Sequence, residues 1–204
     1  IRLATGVLLL PEHNPIIMAK QAASLDLLSG GRLTLGVGIG WSREEFDALG
    51  VPFARRGART DAYVEAMRAL WRDEIVTHRS EFVAFESIRV NPKPAAGRIP
   101  LVVGGNSDQA LRRVVGWGDG WYGFNLDDVD AVADRIRTID RFCQESGRDR
   151  SDLDIAVALR NPVPADRAGL DALGVDELVL VESPPEDSDA VPGWLDELTE
   201  RWAV

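Results

Sequence analysis

The sequence has almost none of the residue types that form covalent cross-links or metal sites. Its 204 residues contain one cysteine, Cys143, and two histidines, His13 and His78. A single cysteine excludes an internal disulfide and any zinc site built from several cysteines. Because Cys143 falls in the apolar stripe of a predicted helix, we interpret it as a core thiol. No zinc-ligand spacing is present, and no metal site is predicted.

Basic residues and long apolar runs are also scarce. Lys and Arg number 23 against 33 Asp and Glu, which gives a formal net charge of −10. A surface of this sign repels phosphate backbones and anionic lipids, so we expect neither nucleic acid nor a membrane as a partner. No apolar run has the length of a membrane span and no signal peptide is recognised, so a cytoplasmic location is expected.

Strand-like and helix-like segments alternate along the chain. Six segments have the Val, Ile and Leu content of buried strands: 2–9, 32–38, 100–104, 121–124, 153–159 and 177–181. Apolar stripes mark the helices between them. In the first helix the stripe is Met18, Ala22 and Leu25; in the later ones it is Val64, Met67, Leu70 and Trp71, then Leu111, Val114 and Val115, then Val129, Val132, Ala133, Ile136, Ile139 and Cys143. This alternation predicts an α/β fold with a parallel sheet.

Two α/β architectures fit six such strands. One is a doubly wound sheet, and the other is a (β/α)₈ TIM barrel that lacks its first two β/α units in this chain. The chain opens at Ile1 in a strand already under way, which favours the barrel. We expect a single domain over 1–204, with irregular insertion segments at about 41–58 and 76–98.

Two glycine patterns sit in the first two strand-like segments. Gly6 interrupts a β-branched run, which indicates either a bulge near a ligand or packing against a bulky neighbour. Gly36, Gly38 and Gly40 alternate in LGVGIGW, and alternate positions of a strand share one side. Because glycine has no side chain, that side of the strand is predicted to leave free space. The space either reflects packing alone or accommodates a flat ligand. The spacing does not match a dinucleotide fingerprint, because the third glycine comes too early.

A phosphate-binding turn is predicted after the third strand-like segment. Gly104 and Gly105 end the strand, and Asn106 and Ser107 cap the helix that follows. Such a turn places free backbone N–H groups and the positive end of a helix dipole at one point, which can hold phosphate without a lysine. An ordinary βα turn is the alternative, and the nearby Asp108 argues against an anion.

Acid and base candidates lie where strands are predicted to end. His13 follows the first strand, and Glu44 lies in an acidic cluster with Glu45 and Asp47 after the second. Paired acids serve general acid and base catalysis, although a solvated helix start is the plainer interpretation of this cluster. No nucleophile elbow or Walker-type lysine loop is present.

Three stretches together resemble the bacterial luciferase-like monooxygenase superfamily, in the actinobacterial branch that uses a deazaflavin, coenzyme F-420. They are 6–71, from GVLLLPEHNP to ALW; 91–94, NPKP; and 99–121, from IPLVVGGNS to GDGW. The resemblance covers the chain from Ile1 to about Phe124. It implies a (β/α)₈ barrel in which Ile1 begins near the third strand and the first two strands are absent from this chain.

The resemblance also implies a coenzyme site. In the family a bulge with a non-proline cis peptide backs the ring, and the matching bond is Gly6–Val7. Gly38, Gly40 and Trp41 are then expected near the ring edge, and Gly104, Gly105, Asn106 and Ser107 at the phosphate. In deazaflavin relatives catalytic acids often come from the first two strands, which are absent from this chain, so His13 and Glu44 are the remaining catalytic candidates.

The implied reaction is hydride transfer between the deazaflavin and a small organic substrate. The alternatives are an FMN-dependent, two-component monooxygenase and a non-catalytic relative that only binds the coenzyme. Oligomers are common in the family, so a homo-oligomer is expected.

Overall fold

The structure, a computed structural model, describes residues 1–202, and its contacts divide the chain into two compact units. The first unit is Ile1–Gly104, and the second begins at Gly105. Both contain parallel strands connected through helices, as the alternating pattern predicts. Within 1–202, no helix combines the length and the apolar character that a membrane crossing requires.

The first unit is built around one parallel sheet. Its elements are β1 (Leu3–Ala4), β2 (Leu8–Leu9), α1 (Pro15–Ser29), β3 (Leu33–Gly38), α2 (Arg43–Ala48), α3 (Arg56–Arg72), β4 (Val76–Arg79), β5 (Ala84–Ile88) and β6 (Leu101–Gly104). Strands β1 and β2 both pair with β3, and β3 pairs with β6, all in parallel. Strands β4 and β5 form an antiparallel hairpin within the predicted 76–98 insertion.

The second unit has a parallel sheet in the order β7, β8, β9. Its elements are α4 (Asp108–Gly116), β7 (Gly120–Leu126), α5 (Val129–Ser146), β8 (Asp154–Leu159), α6 (Asp166–Ala172), β9 (Glu177–Leu178) and α7 (Val191–Trp202). All six predicted strand segments therefore contain strands. The segment 2–9 is divided into β1 and β2, and the segment 177–181 holds a strand of two residues.

The predicted core face of α1 is correct at Ala22 and wrong at Leu25, which is 46% exposed. The buried residues of the helix are Pro15, Ala19, Ala22, Ala23 and Asp26. Small alanines allow the helix to approach its neighbour closely, and the indole N–H of Trp71 on α3 donates to the Ala19 carbonyl at 2.9 Å. Capping residues fix both ends of the helix: Asn14 accepts from the first-turn N–H groups, and Gly30 ends the helix with φ 71°.

The core faces of the later helices are largely as predicted. Val64, Met67, Leu70 and Trp71 are all buried in the first unit, and the stripe of α4 is buried in the second. In α5 the buried set is Val132, Ile136, Ile139, Phe142 and Cys143, so the sequence pattern omitted Phe142. Burial raises the pKa of the Cys143 thiol, which agrees with a core role.

The NPKP stretch has a structural role in the first unit. Its Asn91–Pro92 bond is cis. The Lys93 ammonium donates to the carbonyls of Leu70 and Asp73, at 2.7 and 2.5 Å. The last carbonyls of a helix lack partners within the helix and carry partial negative charge, so this lysine stabilises the end of α3.

Candidate functional site

The predicted bulge lies between β1 and β2. Four chain steps separate Ala4 from Leu8, but only three separate their partners on β3, Thr34 and Val37. One extra residue is therefore inserted opposite β3, which defines a bulge. The Gly6–Val7 bond inside it is cis, as the resemblance implies. Gly6 is exposed and Val7 is half-buried.

The glycines of β3 and β6 surround the side chain of Val7. A Cβ at Gly38 would lie 2.6 Å from Val7 Cγ2, and one at Gly104 would lie 2.7 Å from Val7 Cγ1. Gly36 faces the backbone carbonyl of Thr5, whose hydroxyl donates to the Gly36 carbonyl at 2.9 Å. The room left by these glycines is therefore filled by the bulge. The interpretation that they open space directly for a flat ligand is corrected: neighbouring protein atoms occupy that space.

Gly40 does not share the strand face predicted for it, because β3 ends at Gly38. Gly40 has φ 74°, and a Cβ there would lie 2.6 Å from the ring of Phe46 and 3.0 Å from Glu12 Oε1. It is therefore a turn residue crowded by side chains, a position that only glycine occupies without strain. The next residue, Trp41, is 82% exposed.

Glu12 is the residue at this end of the unit that the sequence patterns did not single out. Its Oε1 atom is buried and has no hydrogen-bond partner among residues 1–202. Burial and the Glu45 carboxylate raise the pKa of Glu12, while His13 lowers it. The sequence feature that would have identified Glu12 as a site residue is its position next to His13, after a predicted strand. A carboxyl group of this kind holds its proton to higher pH than an ordinary glutamate.

The two predicted catalytic residues are both exposed. His13 follows a short 3₁₀ turn, Leu10–Glu12, and its backbone N–H donates to the Leu10 carbonyl at 3.1 Å. Glu44 is in the first turn of α2 and accepts from the Ser42 hydroxyl at 3.2 Å. Ser42 also caps α2 by accepting from the Glu45 N–H. Their catalytic roles stay predictions.

The segment 41–58 is packed around Phe53. The guanidinium groups of Arg56 and Arg43 lie 4.0 and 4.5 Å from the centroid of its ring, and Phe46 meets it edge-on at 5.3 Å. Arg56 also donates to the Gly40 carbonyl at 2.9 Å. These contacts tie the start of α3 to the turn after β3 and hold that turn in place.

Of the residues in the predicted phosphate turn, Gly104 ends β6 in the first unit, and Gly105, Asn106 and Ser107 begin the second unit. Gly105 has φ 112°, and its N–H donates to the Tyr122 carbonyl at 3.3 Å. The Asn106 carboxamide donates to the Phe124 carbonyl at 2.8 Å, and the Ser107 hydroxyl accepts from the Ala110 N–H at 3.3 Å. Asn106 and Ser107 are thus used to hold the loop and cap α4.

A cation that the sequence patterns missed lies beside this turn. Arg135, on α5, donates to the Asn106 carbonyl at 3.4 Å and pairs with the Asp108 carboxylate at 3.3 Å. Periodicity places Arg135 only on the polar side of a helix, and the contact with Asp108 depends on how α5 packs on α4. The Asn106 side-chain oxygen is buried and accepts no hydrogen bond from the described residues.

The sequence also shows which protein family the chain belongs to. Residues 1–177 match the sequence profile described as luciferase-like monooxygenase. The chain belongs to the luciferase-like monooxygenase family. Over all 204 residues this family member is 37% identical to an uncharacterised protein of Mycobacterium tuberculosis, and it spans 71% of that protein.

Solved structures similar to this chain include an F-420-dependent enzyme and an enzyme in complex with FMN. An F-420-dependent secondary alcohol dehydrogenase, in complex with an F-420–acetone adduct, matches 85% of this chain with TM-score 0.69 and 22% identity. The oxygenating constituent of 3,6-diketocamphane monooxygenase from Pseudomonas putida, in complex with FMN, matches 78% with TM-score 0.66 and 21% identity. The chain spans 54% and 48% of these two structures. The predicted α/β fold of the luciferase-like type is confirmed, as is membership of a family of oxidoreductases.

Proposed function

We propose that the protein is a deazaflavin-dependent oxidoreductase that transfers a hydride between coenzyme F-420 and a small organic substrate. The observation that carries this proposal is the bulge with its exposed Gly6, where the resemblance puts the coenzyme ring. The likeness to an F-420-dependent alcohol dehydrogenase supports the choice of coenzyme. Two-electron chemistry at a ring carbon is what the coenzyme supplies when bound.

The first unit suits the face of a flat ring. Gly6 carries no side chain and is exposed, and the Val7 side chain is turned towards Gly38 and Gly104. The outer side of this peptide is therefore bare, so a planar group can contact it without meeting a side chain from either residue. The residues of the bulge would hold the ring in orientation, and the substrate would meet its other face.

The second unit has groups at the start of α4 that suit a bound phosphate. The backbone N–H groups of Asp108 and Gln109, in the first turn of α4, have no acceptor within the helix. The Ser107 hydroxyl lies beside them, and Arg135 adds a positive charge. Asp108 is paired with that arginine, which reduces the repulsion that its carboxylate would exert on an anion.

Proton transfer in this proposal falls to the end of the first unit where Glu12 lies. Its raised pKa suits a general acid better than an ordinary exposed carboxylate does, because the proton is retained nearer to neutral pH. His13 and Glu44 remain candidates for contact with the substrate. We also expect the active protein to be a homo-oligomer.

Coenzyme titration tests the proposal. The full chain is titrated with coenzyme F-420 and, separately, with FMN, and binding is followed by fluorescence. We expect tighter binding of the deazaflavin and hydride exchange with a small alcohol or ketone. Arg135→Gln should weaken binding of both coenzymes, whereas Arg137→Gln, on the same helix and paired with Asp134, serves as the matched control. Preference for FMN contradicts the coenzyme assignment.

The second candidate is an FMN-dependent, two-component monooxygenase. The likeness to a monooxygenase solved with FMN favours it. This function requires reduced FMN and oxygen, and oxygen consumption coupled to loss of substrate is its distinguishing result. Binding of a coenzyme without any turnover identifies the third possibility, a non-catalytic relative.

A further inference from the structure

We propose that Gly38 and Gly104 are positioning residues, which form a seat for the Val7 side chain and thereby set where the Gly6–Val7 peptide meets the coenzyme ring. The Val7 seat is defined as Gly38 on β3 and Gly104 at the end of β6. The inference rests on the proposed function, because it assigns the bulge to the ring. It adds two residues on other strands that control the position of that bulge.

Gly104 forms one side of the seat. A Cβ at this position would lie 2.7 Å from Val7 Cγ1 and 3.4 Å from Val7 Cγ2, while its nearest backbone atom, the Val37 carbonyl oxygen, is 3.6 Å away. The steric conflict is therefore with the valine side chain alone. An added methyl group must push Val7 away, since carbon atoms in contact prefer about 3.5–4.0 Å.

Gly38 forms the other side. A Cβ there would lie 2.6 Å from Val7 Cγ2 and 3.2 Å from Leu9 Cδ2. Valine has two methyl groups on Cβ and few rotamers, so it cannot swing clear of both glycines at once. The side chain is enclosed by β3 and β6, and a shift of Val7 carries the adjoining peptide with it.

Gly36 differs from the two glycines of the seat and supplies a control. A Cβ at Gly36 collides with the backbone carbonyl oxygen of Thr5, and Val7 Cγ1 is only a secondary neighbour at 3.3 Å. Removing the valine methyl groups therefore relieves the conflict at Gly104 and the main conflict at Gly38, where only the movable end of the Leu9 side chain stays close, but it leaves the conflict at Gly36.

The test is a set of double-mutant cycles in the full chain. Gly38→Ala, Gly104→Ala and Gly36→Ala are each made alone and with Val7→Ala. Thermal unfolding measures how much each substitution at the Val7 seat destabilises the protein. The Kd and the absorption spectrum of bound coenzyme F-420, measured far below the unfolding midpoint, report the placement of the ring.

We expect Gly38→Ala and Gly104→Ala each to weaken coenzyme affinity about tenfold and to shift the spectrum of the bound coenzyme. Adding Val7→Ala should restore unfolding temperature, affinity and spectrum to those of Val7→Ala alone. Gly36→Ala should stay impaired with or without Val7→Ala.

Two results overturn the inference. One is failure of Val7→Ala to restore the seat variants, and the other is wild-type affinity and spectrum in Gly38→Ala and Gly104→Ala. A wild-type protein that binds neither coenzyme F-420 nor FMN overturns the proposed function instead, and the unfolding cycles still test the seat.

Discussion

Single residues around the turn after β3 illustrate how one position serves several constraints. Gly40 has a left-handed φ, borders the buried ring of Phe46, and faces the Glu12 oxygen that has no hydrogen-bond partner within residues 1–202. Arg56 holds its carbonyl at 2.9 Å. The sequence pattern recognises the glycine but assigns it to a strand. Its conformation and its neighbours come from chain segments on both sides of it.

Gly40→Ala is predicted to destabilise the protein more than Gly50→Ala. Both glycines have positive φ, 74° and 67°, but a Cβ at Gly50 has no neighbour within 4 Å in the part of the chain that the structure describes. We expect about 1 kcal/mol for Gly50→Ala, from the backbone conformation alone, and about 2–3 kcal/mol or more for Gly40→Ala, because Phe46 must also move. Denaturant unfolding measures both values, and equal losses in the two variants contradict the packing argument.

Glu12→Gln is predicted to stabilise the protein increasingly as pH rises. The pKa of Glu12 is raised in the folded state, so the folded protein holds this proton more tightly than the unfolded chain does. The stability that the protonated carboxyl contributes is complete below the unfolded pKa and is lost as pH rises through the folded pKa. Glutamine stays neutral and keeps that contribution.

Thermal unfolding from pH 4 to pH 8 tests this prediction. The gap in Tm between Glu12→Gln and wild type should open above the ordinary glutamate range and then level off at higher pH. Glu44→Gln, at an exposed carboxylate, is the matched control for loss of one negative charge. A gap that closes with rising pH refutes the assignment.

Elements of this chain are joined by side chains that bind the backbone of helix ends. Lys93 holds the last carbonyls of α3, and Arg148 donates to the carbonyls of Val114, Val115 and Gly118 at the end of α4. Both cations meet the partial negative charge of a helix C-terminus. The helices were predictable from apolar stripes and caps, whereas these ties join residues about twenty to thirty-five positions apart.

Lys93→Met is predicted to lower the free energy of unfolding by about 1–3 kcal/mol, because two carbonyls lose a charged donor. Methionine keeps most of the apolar stem, so the loss reports the ammonium group. Arg89→Met removes a cation from an exposed pair with Glu74 and should change stability by less than about 1 kcal/mol. Chemical denaturation of both variants compares them, and equal effects rule out the helix-end role.

The whole molecule carries a formal charge of −10, which affects any anionic coenzyme before contact. The local positive features near the predicted phosphate turn, which are the start of α4 and Arg135, are short-range and partly offset by Asp108. Long-range repulsion and short-range attraction therefore act on different steps of binding.

The association rate of coenzyme F-420 is predicted to rise with ionic strength by about twofold or more, because salt screens the long-range repulsion. Stopped-flow fluorescence between low and moderate salt measures this rate. Uncharged riboflavin provides the control and should show no such dependence. An association rate that falls as salt is added means that local cations dominate the approach.

The sequence by itself determined the alternation of strands and helices, the helix caps and most apolar stripes, because these follow from local periodicity and backbone preference. It also carried the family resemblance and the position of the bulge at Gly6. The coenzyme roles of the residues named there stay predictions.

Only the tertiary structure decided what occupies the glycine-lined face and which cations reach the turns. Gly38 and Gly104 lie sixty-six positions apart in the chain, yet a Cβ at either position would lie 2.6 or 2.7 Å from a methyl group of the same valine. Glu12 has its raised pKa because folding buries it near Glu45, and Arg135 reaches Asp108 because α5 packs on α4. Contacts of this kind depend on distances between remote segments, and local sequence patterns do not encode those distances.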